Sequence, residues 1–175
     1  MALPSFHSML IGLEQNLPEL WRFVTGATYL AGIFFAVRSL FLFKEYGEGF
    51  ASQKSPDIRK PLVCLLTATV LLYWPDIYHS LMETVYRTST VTPYSYQKES
   101  DYTDLIKVCG HVIQFIGFIA FIRGWMLLAN IYQEGSRGGG LSKAMAHIIG
   151  GLLAINIFGT WLIVESSLGL ASGGG

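Results

Sequence analysis

Charge is scarce in this chain. Only 14% of its 175 residues are charged, against about 25% in a typical soluble domain. Twelve Lys and Arg balance twelve Asp and Glu, and that balance argues against bulk-charge attraction to nucleic acid; no direct sequence-specific nucleic-acid binding is expected. Cysteine is limited to Cys64 and Cys109, both within apolar runs. Their positions lack metal-ligand spacing and read as buried free thiols. The four histidines, His7, His79, His111 and His147, are scattered. No HExxH, CxxC, GxSxG or Walker pattern is present, so neither a catalytic residue nor a metal or cofactor site is expected. The Gly138-Gly139-Gly140 run is not followed by the Lys-Ser/Thr pair of a phosphate loop. It reads as a tight turn.

Apolar sequence fills the space that charge leaves. Hydrophobic residues make up 51% of the chain, and mean hydropathy is +0.43. The stretch from Ile106 to Glu165 holds two long apolar segments, Val108–Tyr132 and Ala144–Val164, joined by a glycine-rich basic turn with Arg137 and Lys143. Each segment exceeds 20 residues, enough to cross about 30 Å of hydrocarbon at 1.5 Å per residue. The first half repeats the plan. Gly32, Arg38 and Tyr46 are matched by Gly117, Arg123 and Tyr132, and the Gly-to-Arg interval is six residues in both halves. Ordered recurrence of this kind points to a duplicated hairpin. The expected fold is therefore an all-α membrane protein of four transmembrane helices, arranged as two duplicated helical hairpins with an N-terminal amphipathic helix.

A single membrane domain follows, with segments of different character. Residues 1–21 form the amphipathic N-terminal segment, with Phe6, Met9, Leu10, Leu13 and Leu17 on one helical stripe. This stretch lacks the basic n-region and cleavage site of a secretory signal. Pro18 suits the first turn of a new helix. Residues 22–81 form the first hairpin, with spans at Phe23–Phe43 and Pro61–Leu81. The second span is the weaker one, because Pro75, Asp76 and His79 follow Trp74. Residues 82–105 are expected as an ordered extracytoplasmic loop rich in tyrosine, 106–165 as the second hairpin and 166–175 as a flexible tail.

Eight of the twelve basic residues lie in or beside the two hairpin turns. The positive-inside rule puts both turns in the cytoplasm, with the termini and the 82–104 loop outside. Arg38 and Arg123 lie inside apolar helices, a costly placement that snorkelling relieves. Together with Arg137 and Lys143 they are the candidate contacts for lipid or a neighbouring subunit. A guanidinium fork suits a lipid phosphate, which makes phospholipid the one bound group expected. Small residues at helical spacing mark packing faces: Gly32 between Thr28 and Ala36, Gly117 with Gly124, and Ala146, Gly150 and Ala154 with Gly151 beside them. These contacts are expected within the chain or between copies of it. Leucine at Gly150 or Gly151 is expected to push helix backbones apart. Asn156, mid-span, is expected to bond across helices.

The run Gly135-Ser136-Arg137-Gly138-Gly139-Gly140-Leu141-Ser142-Lys143, with Ala146 to Asn156 after it, resembles the conjugal-transfer TraQ and IcmC (DotE) family. These are small membrane proteins of type IVB secretion systems. The resemblance is strongest over residues 106–165. A hairpin with a basic cytoplasmic turn is also similar to pilins of the VirB2 type, which polymerise from the inner membrane and hold lipid; this chain differs in carrying two hairpins. The resemblance implies a structural, non-enzymatic subunit of a conjugative apparatus. Such a subunit would sit in the bacterial inner membrane, or be assembled from it into an extracellular pilus. Its partners would be membrane lipids, copies of itself and other secretion-system subunits. The alternative is a small transporter or ion-conducting helical bundle. That reading calls for paired ionisable residues at mid-depth, where the sequence offers only Asn156 and two arginines nearer the cytoplasmic side.

Overall fold

The computed structural model describes residues 6–52, 57–88, 103–134 and 140–169. These residues form six helices and no strand: α1 (Phe6–Ala51), α2 (Arg59–Leu72), α3 (Trp74–Tyr86), α4 (Thr103–Glu134), α5 (Gly140–Ile155) and α6 (Ile157–Ser167). Two helices are long and apolar enough to cross a membrane, α1 over Gln15–Ala51 and α4 over Leu105–Ile131. The pairs α2–α3 and α5–α6 meet that measure only when each is taken together, and they bend by 88° and 91°. Among the described residues there are thus two candidate spans made of one helix each, and up to four if each bent pair counts as one.

Three expectations change here. Pro18 does not begin a helix; it lies inside α1, which runs for 46 residues. Proline removes one backbone donor, and the long hydrogen-bonded ladder on both sides carries the helix through. The amphipathic N-terminal segment is therefore continuous with the first span, and its Leu17 is buried. The stretch Pro61–Leu81 is not one straight helix but breaks at Tyr73. There the chain leaves helical geometry (φ −100°, ψ 26°), and Pro75 sits in the first turn of α3. Proline at that point cannot donate to a carbonyl four residues back and its ring crowds that carbonyl. Ala144–Val164 likewise breaks, at Asn156 (φ −119°, ψ 57°). The intervals Lys60-to-Tyr73 and Lys143-to-Asn156 are equal, so the interruption recurs at the same place in each half.

Packing follows from small residues. α1 lies along α2 and α4 along α5, with α2 against α4 joining the two pairs. A Cβ built on Gly117 would stand 2.8 Å from the backbone nitrogen of Ile155. One on Gly124 would stand 2.8 Å from the nitrogen of Ile148, and one on Gly151 would stand 2.6 Å from the nitrogen of Phe121. Backbones this close admit only hydrogen at those positions. Gly32 plays the matching part in the first pair, 2.9 Å from the Leu72 side chain by the same measure. Gly150 differs: nothing lies within 4 Å of its Cβ position, and the residue is exposed, as is Ala146. Within the chain these two are not packing residues, since their side of α5 points away from α4.

An aromatic layer closes the centre. Trp74 packs on Phe118 (4.5 Å between ring centroids) and Phe121 (5.0 Å), and Trp21 reaches Phe118 from α1 (4.8 Å). Trp74 and Ile155 therefore meet α4 within one turn of each other, and the two breaks lie at one level. Cys64 is buried and its thiol donates to the carbonyl of Phe35 (3.4 Å). Cys109, expected buried, is exposed. The tyrosine-rich loop expected at 82–105 is shorter, since α3 runs on to Tyr86 and α4 starts at Thr103, and the tail expected from 166 starts later, since α6 runs on to Ser167; residues 89–102 and 170–175 lie outside the described residues.

Gly151→Ala is expected to destabilise the protein by about 1–3 kcal/mol, the usual range for overpacking, while Gly150→Ala changes stability little. Thermal unfolding of the two variants in the same detergent checks this; equal midpoints would contradict the contact.

Candidate functional site

The outer surface of the helices is apolar. Phe23, Leu30 and Leu40 on α1 are 74%, 71% and 68% exposed. Ile116 on α4, Ile149 on α5 and Trp161 to Val164 on α6 also face outward. Water would not tolerate so continuous an apolar surface on a monomer, whereas hydrocarbon would. Three buried hydroxyls are satisfied by backbone carbonyls, two of them on their own helix. Thr28 Oγ1 donates to Val24 O (2.7 Å) and Ser39 Oγ to Ala36 O (2.8 Å), and Thr67 Oγ1 reaches across from α2 to Trp125 O on α4 (3.4 Å).

The cationic candidates occupy matching positions. Arg38 lies six residues beyond Gly32 and Arg123 six beyond Gly117, so each sits about 9 Å along its helix from the close contact, toward the hairpin turn. Both side chains are exposed, and so is Lys143 at the start of α5. Their cationic groups are thus open to lipid or to a neighbouring chain. Arg137 lies outside the described residues. The histidines stay apart in role. His111 lines a cavity of about 270 Å³ with Leu17, Pro18 and Trp21. His147 contacts Lys143 O through Nδ1 (2.8 Å); because a carbonyl only accepts, Nδ1 carries the proton. Among the described residues no group of three or more His, Cys, Asp or Glu is arranged to hold a metal ion.

The two breaks form the most specific polar arrangement. Asn156, expected to bond across helices, caps its own α6: its Oδ1 accepts the N–H of Gly159 (3.3 Å). Thr160 Oγ1 donates to Leu153 O (2.8 Å), a carbonyl that a continuous helix would pair with the amide of residue 157. Having given its one proton there, Thr160 accepts from the Tyr86 hydroxyl on α3 (2.7 Å). The bent halves α3 and α6 are therefore tied together. Phe158 seats on Gly110 of α4, where any Cβ would overlap the ring. Sequence spacing reveals none of this, because Tyr86 and Thr160 are 74 residues apart. Gly32, Gly117, Gly124, Gly151 and Ala154 are brought together with their neighbouring helices; Ala146 and Gly150 are not. No family model matches the chain, and it matches neither a curated protein nor a solved structure.

Proposed function

We propose that this chain is a structural integral-membrane subunit of a conjugative, type IVB secretion apparatus. It works in a bacterial inner membrane, or in a pilus drawn from it, beside copies of itself and other subunits of the apparatus. The observation that carries the membrane role is the outward apolar surface on α1, α4, α5 and α6. The resemblance over Gly135 to Asn156 supports the conjugative role. The chain crosses four times, with α2–α3 and α5–α6 each serving as one broken crossing, and the two pairs arose by duplication. In support, the break recurs at the same interval in each half, and each half has a glycine seated on its partner helix. The hairpin turns face the cytoplasm and α3 faces outward. α3 suits that interface: Asp76, His79 and Glu83 are exposed, while Trp74 and Met82 are buried.

A transporter or ion-conducting bundle is the second reading, favoured by the paired breaks, since broken helices line many transport sites. Here the level of the breaks is filled by Trp74, Phe118 and Phe121 rather than by ionisable pairs, which favours the structural role.

Deleting the gene from a host that carries its conjugative element should abolish transfer. The parent chain should restore it and Gly151→Leu should not; undiminished transfer by the deletion strain would overturn the proposal. Topology is checked with single cysteines in a background of Cys64→Ala and Cys109→Ala. Asp57→Cys and Lys143→Cys should react with an impermeant thiol reagent only after the inner membrane is opened, and Glu83→Cys in intact spheroplasts. The reverse pattern would remove the four-span orientation.

Arg123 tests the lipid contact. Lysine keeps the charge and snorkels, yet lacks the planar fork. Arg123→Lys should insert normally while the phospholipid co-purified per chain falls, and Arg123→Leu should impair insertion as well. Equal lipid content for Arg123→Lys and parent would leave Arg123 as a topology anchor only.

A further inference from the structure

The two breaks look alike but are built differently. Pro75 stands just past the first one, so α2 and α3 cannot join into one regular helix without losing a hydrogen bond to a proline clash. Between Gly140 and Ser167 there is no proline. Nothing covalent prevents α5 and α6 from joining. α5 alone has 16 residues, about 24 Å, and is short for a bilayer; joined to α6 it would reach about 42 Å. α6 is suited to lipid on its outer side, since Trp161, Leu162, Ile163 and Val164 are exposed.

We propose that the α5–α6 break is a hinge latched by Tyr86 and Thr160, and that release of the latch lets α6 swing out to complete a continuous crossing. This rests on reading α5 and α6 as one membrane pass. Three contacts hold the bent form: the Tyr86 hydroxyl donating to Thr160, Thr160 donating to Leu153 O, and Phe158 seated on Gly110. The Thr160 hydroxyl is the pivotal group. In the bent form it satisfies the Leu153 carbonyl that the break sets free. In the straight form the amide of Ile157 takes that carbonyl, and the hydroxyl turns to the carbonyl four residues before it on its own helix. The Leu153 carbonyl therefore has a donor in either state, as a hinge within hydrocarbon requires of the group it frees. Tyr86 contributes only to the bent form, so α3, held at its own break by Pro75, acts as the fixed post.

Distance measurement between spin labels tests this on the full chain in phospholipid nanodiscs. Met145→Cys and Ser167→Cys, both at exposed positions, carry the labels, with Cys64→Ala and Cys109→Ala in the background. Each labelled position is about 16 Å along a helix from Asn156, so the bent form gives about 23 Å and the straight form about 33 Å. The parent should show mainly the short separation. Tyr86→Phe, which keeps the ring, should raise the ratio of long to short by roughly fivefold, the factor for one hydrogen bond. Thr160→Val should do at least as much, and Thr160→Ser should restore the parent distribution. A single short separation in Tyr86→Phe and Thr160→Val alike, with helical circular dichroism unchanged, overturns the hinge, and so does a parent that shows only the long separation. No secretion apparatus is needed for the measurement, so its outcome stands apart from that of the transfer experiment.

Discussion

Close backbone contact between α4 and α5 is the constraint on which the rest depends. In hydrocarbon, lipid tails solvate an apolar side chain as well as a protein core does, so burial alone does not drive helices together. Contact must come from shape. Gly117, Gly124 and Gly151 remove the side chains that would hold the axes apart, and each brings a facing backbone atom to a distance no Cβ would allow. With α5 held there, its end at Ile155 is fixed against Gly117, and the position of the break follows.

The aromatic layer then sets how the two halves meet. Trp74 begins α3 immediately after the first break and fits between Phe118 and Phe121, while Trp21 covers Phe118 from α1. Two helices, α1 and α3, thus converge on one turn of α4. Offset and tilted aromatic pairs of this kind add about 0.5–1.5 kcal/mol each beyond area burial, and their shapes specify register in a way that a run of leucines would not. The breaks of both halves are levelled by this turn, which is why α3 and α6 come near enough for Tyr86 to reach Thr160.

Broken helices inside an apolar surface raise a polar problem, because each freed backbone group needs a partner. The two halves solve it with different residues. At Tyr73 the chain places Pro75, which has no donor to satisfy, and the Tyr73 amide still bonds Thr69 O (2.9 Å). At Asn156 the side chains of Asn156 and Thr160 supply the missing acceptor and donor. A duplicated plan has been completed by unlike chemistry, rigid in one half and dependent on tertiary contact in the other.

The sequence by itself determined the helical class, the apolar outer surface and the contact role of Gly32, Gly117 and Gly124, because these depend on composition and helical period, both local properties. Pro75 already marked the weak end of the second span. Tertiary structure decided which of two adjacent glycines meets α4. Gly150 and Gly151 are one residue apart and so about 100° apart around the helix; only the position of α4 makes Gly151 the contact and leaves Gly150 facing outward. It also decided that Ala144–Val164 bends. The local sequence there favours a straight span, with no proline and a long apolar run, and the bend is held by partners on other helices, Tyr86 for Thr160 and Gly110 for Phe158. Such partners leave no periodic trace along the chain, since their pairing exists only once α3 and α4 are in place.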